Sequence, residues 1–445
     1  MIIRNGKVAL PGNDELTEID IRIADGKIVE LGAALAGDDE IIEARGIIIL
    51  PGGIDPHVHF DDPGFTDRED FAHGTAAAAS GGITTIIDMP CTSIPPVTTI
   101  ANLEEKLAVV EKEAVIDFGF HGGIAPQSMR EGYPENFREL AKIVFGFKTY
   151  FISIMELFGG LDYFQFRNVL RQAEEFGATI LLHAEDLSYV TAATEYFIKK
   201  GNKPIDYYSS RPEVAEILAV RSALELQEET GADLHIVHVS TATAAELIAT
   251  SSATCETGPH YLQFDLDDFI RIGSALKTTP PVKVSGNKEL LWRYLAGGTI
   301  DFAASDHAPS TAAGKETGSI WTDYAGIPGT VTLLPYLFSE GYLRGRLSLR
   351  RLVEVTSEAA ARRYGLYPRK GSIAIDTDAD LVLINPDLTW TVEGEKFLSK
   401  GHITPFEGMV LQGKVIKTLV RGRTVYEDGE GIKVKPGTGR FLTRT

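Results

Sequence analysis

The sequence predicts an α/β protein, a (β/α)8 TIM barrel with a small β-sandwich built from the two ends of the chain. Three observations predict it. From Ile54 onward, continuous apolar runs alternate with amphipathic helical patterns, the signature of a parallel sheet covered on both faces. The flanking stretches, 1–50 and 370–445, alternate short strands with turns instead. And histidine, lysine and aspartate recur at the same end of successive strand candidates.

The first fifty residues hold the runs Val8-Ala9-Leu10, Ile19-Asp20-Ile21-Arg22-Ile23 and Lys27-Ile28-Val29, with Asp25-Gly26 as a hairpin signal. This is too little chain to bury a core alone. Eight barrel strands are predicted: Ile54–His59, Ile83–Met89, Val115–Gly122, Ile143–Tyr150, Thr179–His183, Leu234–Val239, Ala253–Thr257 and Ile300–Ser305. Clear helical patterns lie at Asn102–Ala114, Tyr163–Phe176, Pro212–Thr230, Ala242–Ala249 and Lys288–Ala296. An open doubly wound sheet is the alternative, but its glycine fingerprint for dinucleotides is missing. Residues 184–211 and 306–326 interrupt the alternation and read as long polar loops over the C-terminal face. After a helix at Leu349–Tyr364 the chain returns to β, at Ile373–Ile375, Ala379–Ile384, Val415–Val420 and Thr424–Tyr426. The division expected is a sandwich of 1–50 plus 370–445 around a barrel of 51–369.

Composition narrows the function. A formal charge of −19 argues against nucleic acid or an anionic membrane as the main partner. Two cysteines, Cys91 and Cys255, provide neither a disulfide framework nor a cysteine-rich zinc site. They read as small apolar fillers. The N-terminus lacks the apolar core of a signal peptide, and no run is long enough to span a bilayer. A soluble cytoplasmic protein is the expectation.

The chemistry begins at Pro51-Gly52-Gly53-Ile54-Asp55-Pro56-His57-Val58-His59-Phe60. In an extended strand, His57 and His59 project from one face. They form half a metal site or a pair of structural histidines, and the motif alone fits both equally. Lys148, His183, His238 and Asp306 stand at the ends of later strand candidates. In a barrel all these ends surround one pocket. That convergence favours a metal centre. Lys148 is the odd member, because an ammonium among metal-binding imidazoles must be deprotonated or chemically masked.

In order along the chain, His57-Val58-His59, Gly146-Phe147-Lys148, His183-Ala184-Glu185, His238-Val239-Ser240 and Ser305-Asp306-His307 resemble the signature of the cyclic amidohydrolases: hydantoinases, dihydropyrimidinases, allantoinases and dihydroorotases. The resemblance implies a carbamylated Lys148 bridging two divalent ions, usually zinc, with manganese or cobalt as substitutes. It implies His57, His59 and Asp306 on one ion and His183 and His238 on the other. A bridging hydroxide would then attack the ring carbonyl, while Asp306 moves the proton to the leaving nitrogen. Asp55 and Glu185 are candidates to orient ligand histidines. His260 and His307 read as supporting or structural.

Dihydroorotases place an arginine two residues after the second histidine, where this chain has Asp61. An acid there repels an anionic ring. They also carry asparagines after Met-Pro, where this chain reads Met89-Pro90-Cys91-Thr92-Ser93. The Ser-Ile-Pro-Pro run is similar to allantoinases. Gly122–Pro126, Glu256–Leu262 and the tail Gly439–Arg444 look most like L-hydantoinases. A neutral hydantoin-like ureide is the expected substrate, with Phe60, Tyr150, Thr279 and Pro328 as its contacts. Phe65, Phe151 and Phe158 also lie near the pocket loops. Dihydroorotate or allantoin is the alternative ring. A non-catalytic scaffold, like the dihydropyrimidinase-related proteins, is the alternative class, and the complete ligand set speaks against it. Family habit suggests a homo-oligomer, a tetramer or dimer.

Overall fold

Both ends of the chain meet at one short strand, Ile48–Pro51. It pairs parallel with Ile2–Val8 and antiparallel with Leu381–Thr391. A computed structural model describes residues 1–37, 40–130, 132–153 and 155–444. Among them the β-rich ends share one nine-stranded sheet, eight strands on one path and Ile41–Glu43 beside the first strand. That path closes over a common core of Ile3, Val8, Ile21, Ile28, Ile49, Leu381, Leu383 and Leu419. This is the sandwich the sequence implies. Neither end has the apolar side chains to fill it alone.

The turns follow the residue chemistry. Asp25 and Gly26 both take positive φ, 51° and 81°, the geometry that matches the twist of a two-residue hairpin. The strand expected at Ile373–Ile375 is not formed. Ile373 is buried in the sandwich core, but Asp376 turns the chain at φ 69°. Thr377 then holds the turn by donating to the carbonyl of Ala374 at 2.8 Å.

Eight parallel strands form the barrel: Gly53–Val58, Ile83–Asp88, Asp117–Phe120, Phe147–Tyr150, Thr179–His183, Asp233–Ile236, Thr254–Thr257 and Phe302–Ala303. The ring closes where the amide of His59 donates to the carbonyl of His307 at 2.7 Å. Between the third and fourth strands, the Phe145 amide donates to the Phe120 carbonyl at 3.1 Å. The interior is filled by Ile54, Ile87, Phe145, Leu181, Val237 and Phe302, and Ala360, Tyr364 and Leu442 belong to the same cluster. The last of these comes from the tail. The tail crosses under the barrel and pairs with Phe118 through the Arg440 carbonyl and the Leu442 amide. The chain after residue 370 thus serves both the sandwich and the barrel.

The helices show what local signals can and cannot give. Tyr163–Phe176 has the predicted bounds, because Asp162 and Gln165 form a capping box and Gly177 ends the helix at φ 63°. Phe71–Ser80 has no clear amphipathic stripe, yet it forms, started by Asp70 accepting from the His73 amide at 2.8 Å. Residues 184–211 are not a loop. They contain helices Leu187–Phe197 and Pro204–Ser210, begun by Asp186 as a cap and by a proline in the first turn. Residues 306–326 stay mostly irregular around a single turn, Ala312–Lys315. No helix among the described residues is long and apolar enough to cross a membrane.

Candidate metal centre

The ends of five barrel strands converge on one buried cluster. His57 Nε2 lies 3.2 Å and His59 Nε2 3.5 Å from Asp306 Oδ1. His183 Nδ1 lies 3.0 Å from His238 Nε2. The rings of His57 and His238 are 5.4 Å apart between centroids, which joins the two pairs into one group. One donor atom each from His57, His238 and Asp306 falls within a 4.8 Å spread.

Three of the four imidazoles meet a partner on the far nitrogen, and His238 Nδ1 does not. His57 Nδ1 is hydrogen-bonded to Glu256 Oε1, and His183 Nε2 to Glu185 Oε2 at 3.0 Å. Glu185 is itself paired with Arg211. His59 Nδ1 faces Thr92 Oγ1 at 3.4 Å and Cys91 Sγ at 3.7 Å. A carboxylate on one nitrogen fixes the tautomer and leaves the other lone pair for a metal. His57 Nε2 is buried without a hydrogen-bond partner. Such an orphaned nitrogen fits a divalent ion. The 3.0 Å separation of His183 and His238 nitrogens is near the edge of a tetrahedral zinc sphere, about 3.3 Å for Zn–N bonds of about 2.0–2.1 Å.

The local backbone is strained where ligands sit. His238 and Asp306 take φ of 42° and 50°, a region that costs a side-chain-bearing residue roughly 1–3 kcal/mol. The charge pattern is equally unusual. Burial holds His57 and His238 below the ordinary imidazole range. Burial would raise Asp306, but His57, His59 and His238 together hold it well below the usual carboxylate range. Asp306 is therefore an anion facing His57 and His238 kept neutral by burial, while His59, against the pull of burial, is raised to about 10 by Cys91 and Asp306.

Lys148 is buried and pushed down by that burial. Three other lysines are equally buried: Lys315 donates to the Ser274 carbonyl at 2.9 Å, and the other two are paired with carboxylates. Lys106 meets Asp88 at 2.7 Å, and Lys370 meets Asp117 at 2.7 Å and Asp380 at 2.5 Å. Among the described residues Lys148 has no carboxylate partner, and its Nζ lies 4.9 Å from the ring centre of Tyr150.

The expected substrate contacts divide. Phe60 is fully buried against Phe71 and His307, with ring centroids 5.4 Å apart in both cases. It fills the room left by Gly74, where an added Cβ would lie 2.8 Å from its ring. Phe60 is a packing residue, since the chain turns after His59 and directs it into the core. Phe151 packs on Phe166, and Phe158 on Tyr150. Tyr150 lies beside His183, its ring centroid 5.1 Å away, and its hydroxyl is 3.2 Å from Cys91 Sγ. Cys91 is thus more than the filler the sequence suggests, because it touches both a candidate ligand, His59, and a tyrosine. Thr279 Oγ1 is 2.7 Å from the Tyr207 hydroxyl. Pro328 is buried beside Ile327, whose carbonyl accepts from the Ala308 amide at 2.9 Å.

The supporting residues also sort themselves. Glu185 orients His183 as expected. Asp55 does not touch a histidine, and instead accepts from the Ser305 amide at 3.0 Å, fixing the chain just before Asp306. His307 accepts from the Gly329 and Thr330 amides at Nδ1 and therefore donates from Nε2 to Glu69 at 3.0 Å. His260 is buried against Tyr261, and burial pushes it down to about 4. The residue missed was Glu256. It is fully buried on the seventh strand and shared between His57 and His235, whose Nε2 lies at 3.3 Å. A carboxylate in a run of strand residues was the available signal. Asp61 is not bare either, because Arg68 Nε lies 2.9 Å from its Oδ2. The repulsion counted against an anionic ring is therefore largely offset by an adjacent guanidinium.

Comparison with known proteins agrees with this geometry. The amidohydrolase family model matches residues 48–425. An allantoinase of Rubrobacter xylanophilus is 37% identical over 99% of this chain and 97% of its own. A dihydroorotase of Halobacterium salinarum is 37% identical over 94% of this chain and 95% of its own. The solved L-hydantoinase from Arthrobacter aurescens superposes with a TM-score of 0.94 at 34% identity, covering 100% of this chain and 99% of that one. With a family model spanning the barrel and the C-terminal part of the sandwich up to residue 425, and ligand-type residues gathered at the strand ends, this chain belongs to the amidohydrolase family.

Proposed function

We propose that this chain is a binuclear metal hydrolase that opens a cyclic amide, a hydantoin-like ureide. The observation that carries the reading is Lys148, fully buried without an ion pair among the described residues, 4.9 Å from the Tyr150 ring and near enough to His57, His183 and His238 for its charge to act on each. An amine kept down by burial reacts readily with carbon dioxide. A carbamate formed there would turn a misplaced cation into an anionic ligand for the ions.

In this assignment His57, His59 and Asp306 hold one ion, and His183 and His238 the other. When bound, two divalent ions, zinc or alternatively manganese or cobalt, supply Lewis acidity and lower the pKa of water. The chain supplies the rest. Asp306, kept anionic at neutral pH, accepts a proton on its carboxylate and returns it to the ring nitrogen as the C–N bond breaks. Glu256 and Glu185 hold the imidazoles in the ligating tautomer. Tyr150, Thr279 and the backbone around Pro328 are placed to contact the ring. Phe60 is withdrawn from that role. The product is an N-carbamoyl acid or a similar opened ring.

Two subsidiary readings accompany it. The barrel and sandwich divide near residues 50 and 370, apart from the tail beneath the third strand. The enzyme works as a homo-oligomer, which is supported by exposed Leu187, Val214 and Leu218 on helices joined by the Asp186 amide and Ala215 carbonyl, and by exposed Phe164 on the helix whose Tyr163 hydroxyl donates to Asp186 at 2.7 Å.

The test is ring opening by zinc-, manganese- or cobalt-loaded protein on both enantiomers of a 5-substituted hydantoin, dihydrouracil, allantoin and dihydroorotate. Turnover of a hydantoin above dihydroorotate supports the neutral-ring reading. Protein that retains no divalent ion and opens no ring returns the scaffold reading.

A further inference from the structure

Three of the four candidate ligand imidazoles are aimed by a side chain, and His238 is not. Its Nδ1 is buried without a hydrogen-bond partner among the described residues, yet its Nε2 lies 3.0 Å from His183 Nδ1. Its backbone sits at φ 42°, a conformation that persists only where the surroundings over-determine it. The main chain therefore aims this ring, and it is gripped at every backbone polar atom of the two residues that follow.

The Val239 amide donates to the Glu256 carbonyl at 2.8 Å, and the Val239 carbonyl accepts from Thr257 Oγ1 at 2.8 Å. Both partners belong to the neighbouring barrel strand. The Ser240 amide donates to Glu216 Oε1 at 2.9 Å, and the Ser240 hydroxyl to Glu216 Oε2 at 2.7 Å. The Ser240 carbonyl accepts from Asn287 Nδ2 at 2.9 Å, while Asn287 Oδ1 accepts from the Ala242 amide at 2.8 Å. These partners are side chains of two outer helices, Glu213–Thr230 and Asn287–Gly297.

Glu216 is costly where it stands. It is 2% exposed, on the helix face that also buries Ala215, Ala219, Val220 and Ala223. An apolar side chain would serve packing better, and a buried carboxyl is tolerated where hydrogen bonds satisfy it. Gln227, the other polar member of that face, donates to the Ala232 carbonyl at 3.1 Å. One helix thus braces the chain on both sides of the sixth barrel strand, Gln227 before it and Glu216 beyond the histidine. A similar device recurs at Asp306, at φ 50°, where buried Asp55 takes the adjacent Ser305 amide at 3.0 Å.

We infer that Glu216 and Asn287 are positioning residues, which aim His238 at the ion assigned to His183 and His238 by fixing the Ser240 backbone. The inference rests on the metal-centre reading of these strand ends. With Ser240 released, His238 relaxes toward the common negative φ and carries its Nε2 away from His183. One ion then loses a ligand, while His57, His59 and Asp306 keep the other.

The experiment counts zinc per chain by elemental analysis after equilibrium dialysis, in the natural protein and in Glu216→Met, Glu216→Gln and Gln227→Met. Glu216→Met keeps the length of the side chain and removes both carboxylate oxygens. It is expected to lower the zinc content from two ions per chain to one, and to raise by about tenfold or more the zinc concentration that half-restores ring opening. Glu216→Gln, which still accepts from the Ser240 amide, is expected to keep both ions. Gln227→Met is expected to lower the melting temperature of the metal-free protein and to keep both ions. Two ions in Glu216→Met, or the same loss in Glu216→Gln or Gln227→Met, overturns the inference and leaves the metal centre standing. If Glu216→Met does not fold, Asn287→Leu, which releases the Ser240 carbonyl, is read by the same count, and two retained ions overturn the inference. A natural protein that binds no zinc overturns the metal-centre reading and this inference with it.

Discussion

His57 and Glu256 lie 199 positions apart in sequence and are joined side chain to side chain, imidazole Nδ1 to carboxylate Oε1. The contact crosses the barrel from the first strand to the seventh, and both residues are buried. It leaves His57 Nε2 free toward Asp306. His235 braces the same carboxylate, and its own Nδ1 is 2.7 Å from Thr254 Oγ1. A chain of four side chains thus reaches the candidate centre from the barrel wall.

Removing the Glu256 carboxylate should free His57 to rotate and to protonate the wrong nitrogen. Glu256→Ala is expected to lower metal affinity and activity by about 10–100-fold. Glu256→Gln, which can still accept from Nδ1–H, should lose less. Equilibrium dialysis with zinc, read by elemental analysis, checks the order. Equal metal content in all three proteins would show that Glu256 only fills space.

Lys148→Ala should reduce bound metal and activity together, because on the proposed reading Lys148 is a ligand and not a merely nearby cation. Metal content and ring-opening rate measured on the same preparation check this. Full activity in that variant would remove the bridging-carbamate assignment.

Asp306→Asn keeps the shape of the side chain and removes its basicity. Loss of a positioned acid–base group is expected to lower kcat by roughly 10²–10⁴-fold. The variant should still melt cooperatively. A kcat within threefold of the natural protein would assign proton transfer to another group.

The pair of Glu185 and Arg211 predicts an acid limb of stability. Burial alone would raise Glu185, but Arg211 and His183 pull it down to about 2 from an ordinary 4.5. A carboxyl whose folded pKa lies below its unfolded value stabilises the fold above the unfolded pKa. That contribution is lost as pH falls from about 4.5 toward 2, and is of the order of 3 kcal/mol. Thermal melts between pH 7 and 3 should show the loss, and Glu185→Gln should flatten it.

Lys370 lies among Asp117, Asp378 and Asp380, with Arg421 on the far oxygen of Asp117. The three carboxylates resemble a cation site, but the ammonium already occupies it. Lys370→Met should cost about 3–5 kcal/mol in chemical denaturation, because it strands buried anions. Metal content of the folded protein should not change.

The order of ligand residues was legible in the sequence because strand geometry is local. An apolar run buried on both faces marks a barrel strand, and a polar residue at its end has only the pocket to enter. Hence His57, His59, Lys148, His183, His238 and Asp306 could be placed together without coordinates, and the hairpin at Asp25-Gly26 and the capped helix at Tyr163 read directly from their residues. The sandwich was legible for a related reason, since two β-rich ends too small for separate cores must share one. Tertiary structure alone decided what depends on partners distant in sequence. Glu256 orients His57, Arg68 offsets Asp61, and Gly74 makes room for Phe60 in the core rather than in the pocket. Helices at 187–197 and 204–210 form where polar composition suggested loops, because caps and packing against the neighbouring helices outweigh weak periodicity. Periodicity and spacing report on the face a residue occupies, which is a property of a few neighbouring bonds. Which group pairs with which across the barrel is settled only when the ring of strands closes and buried charges must find one another.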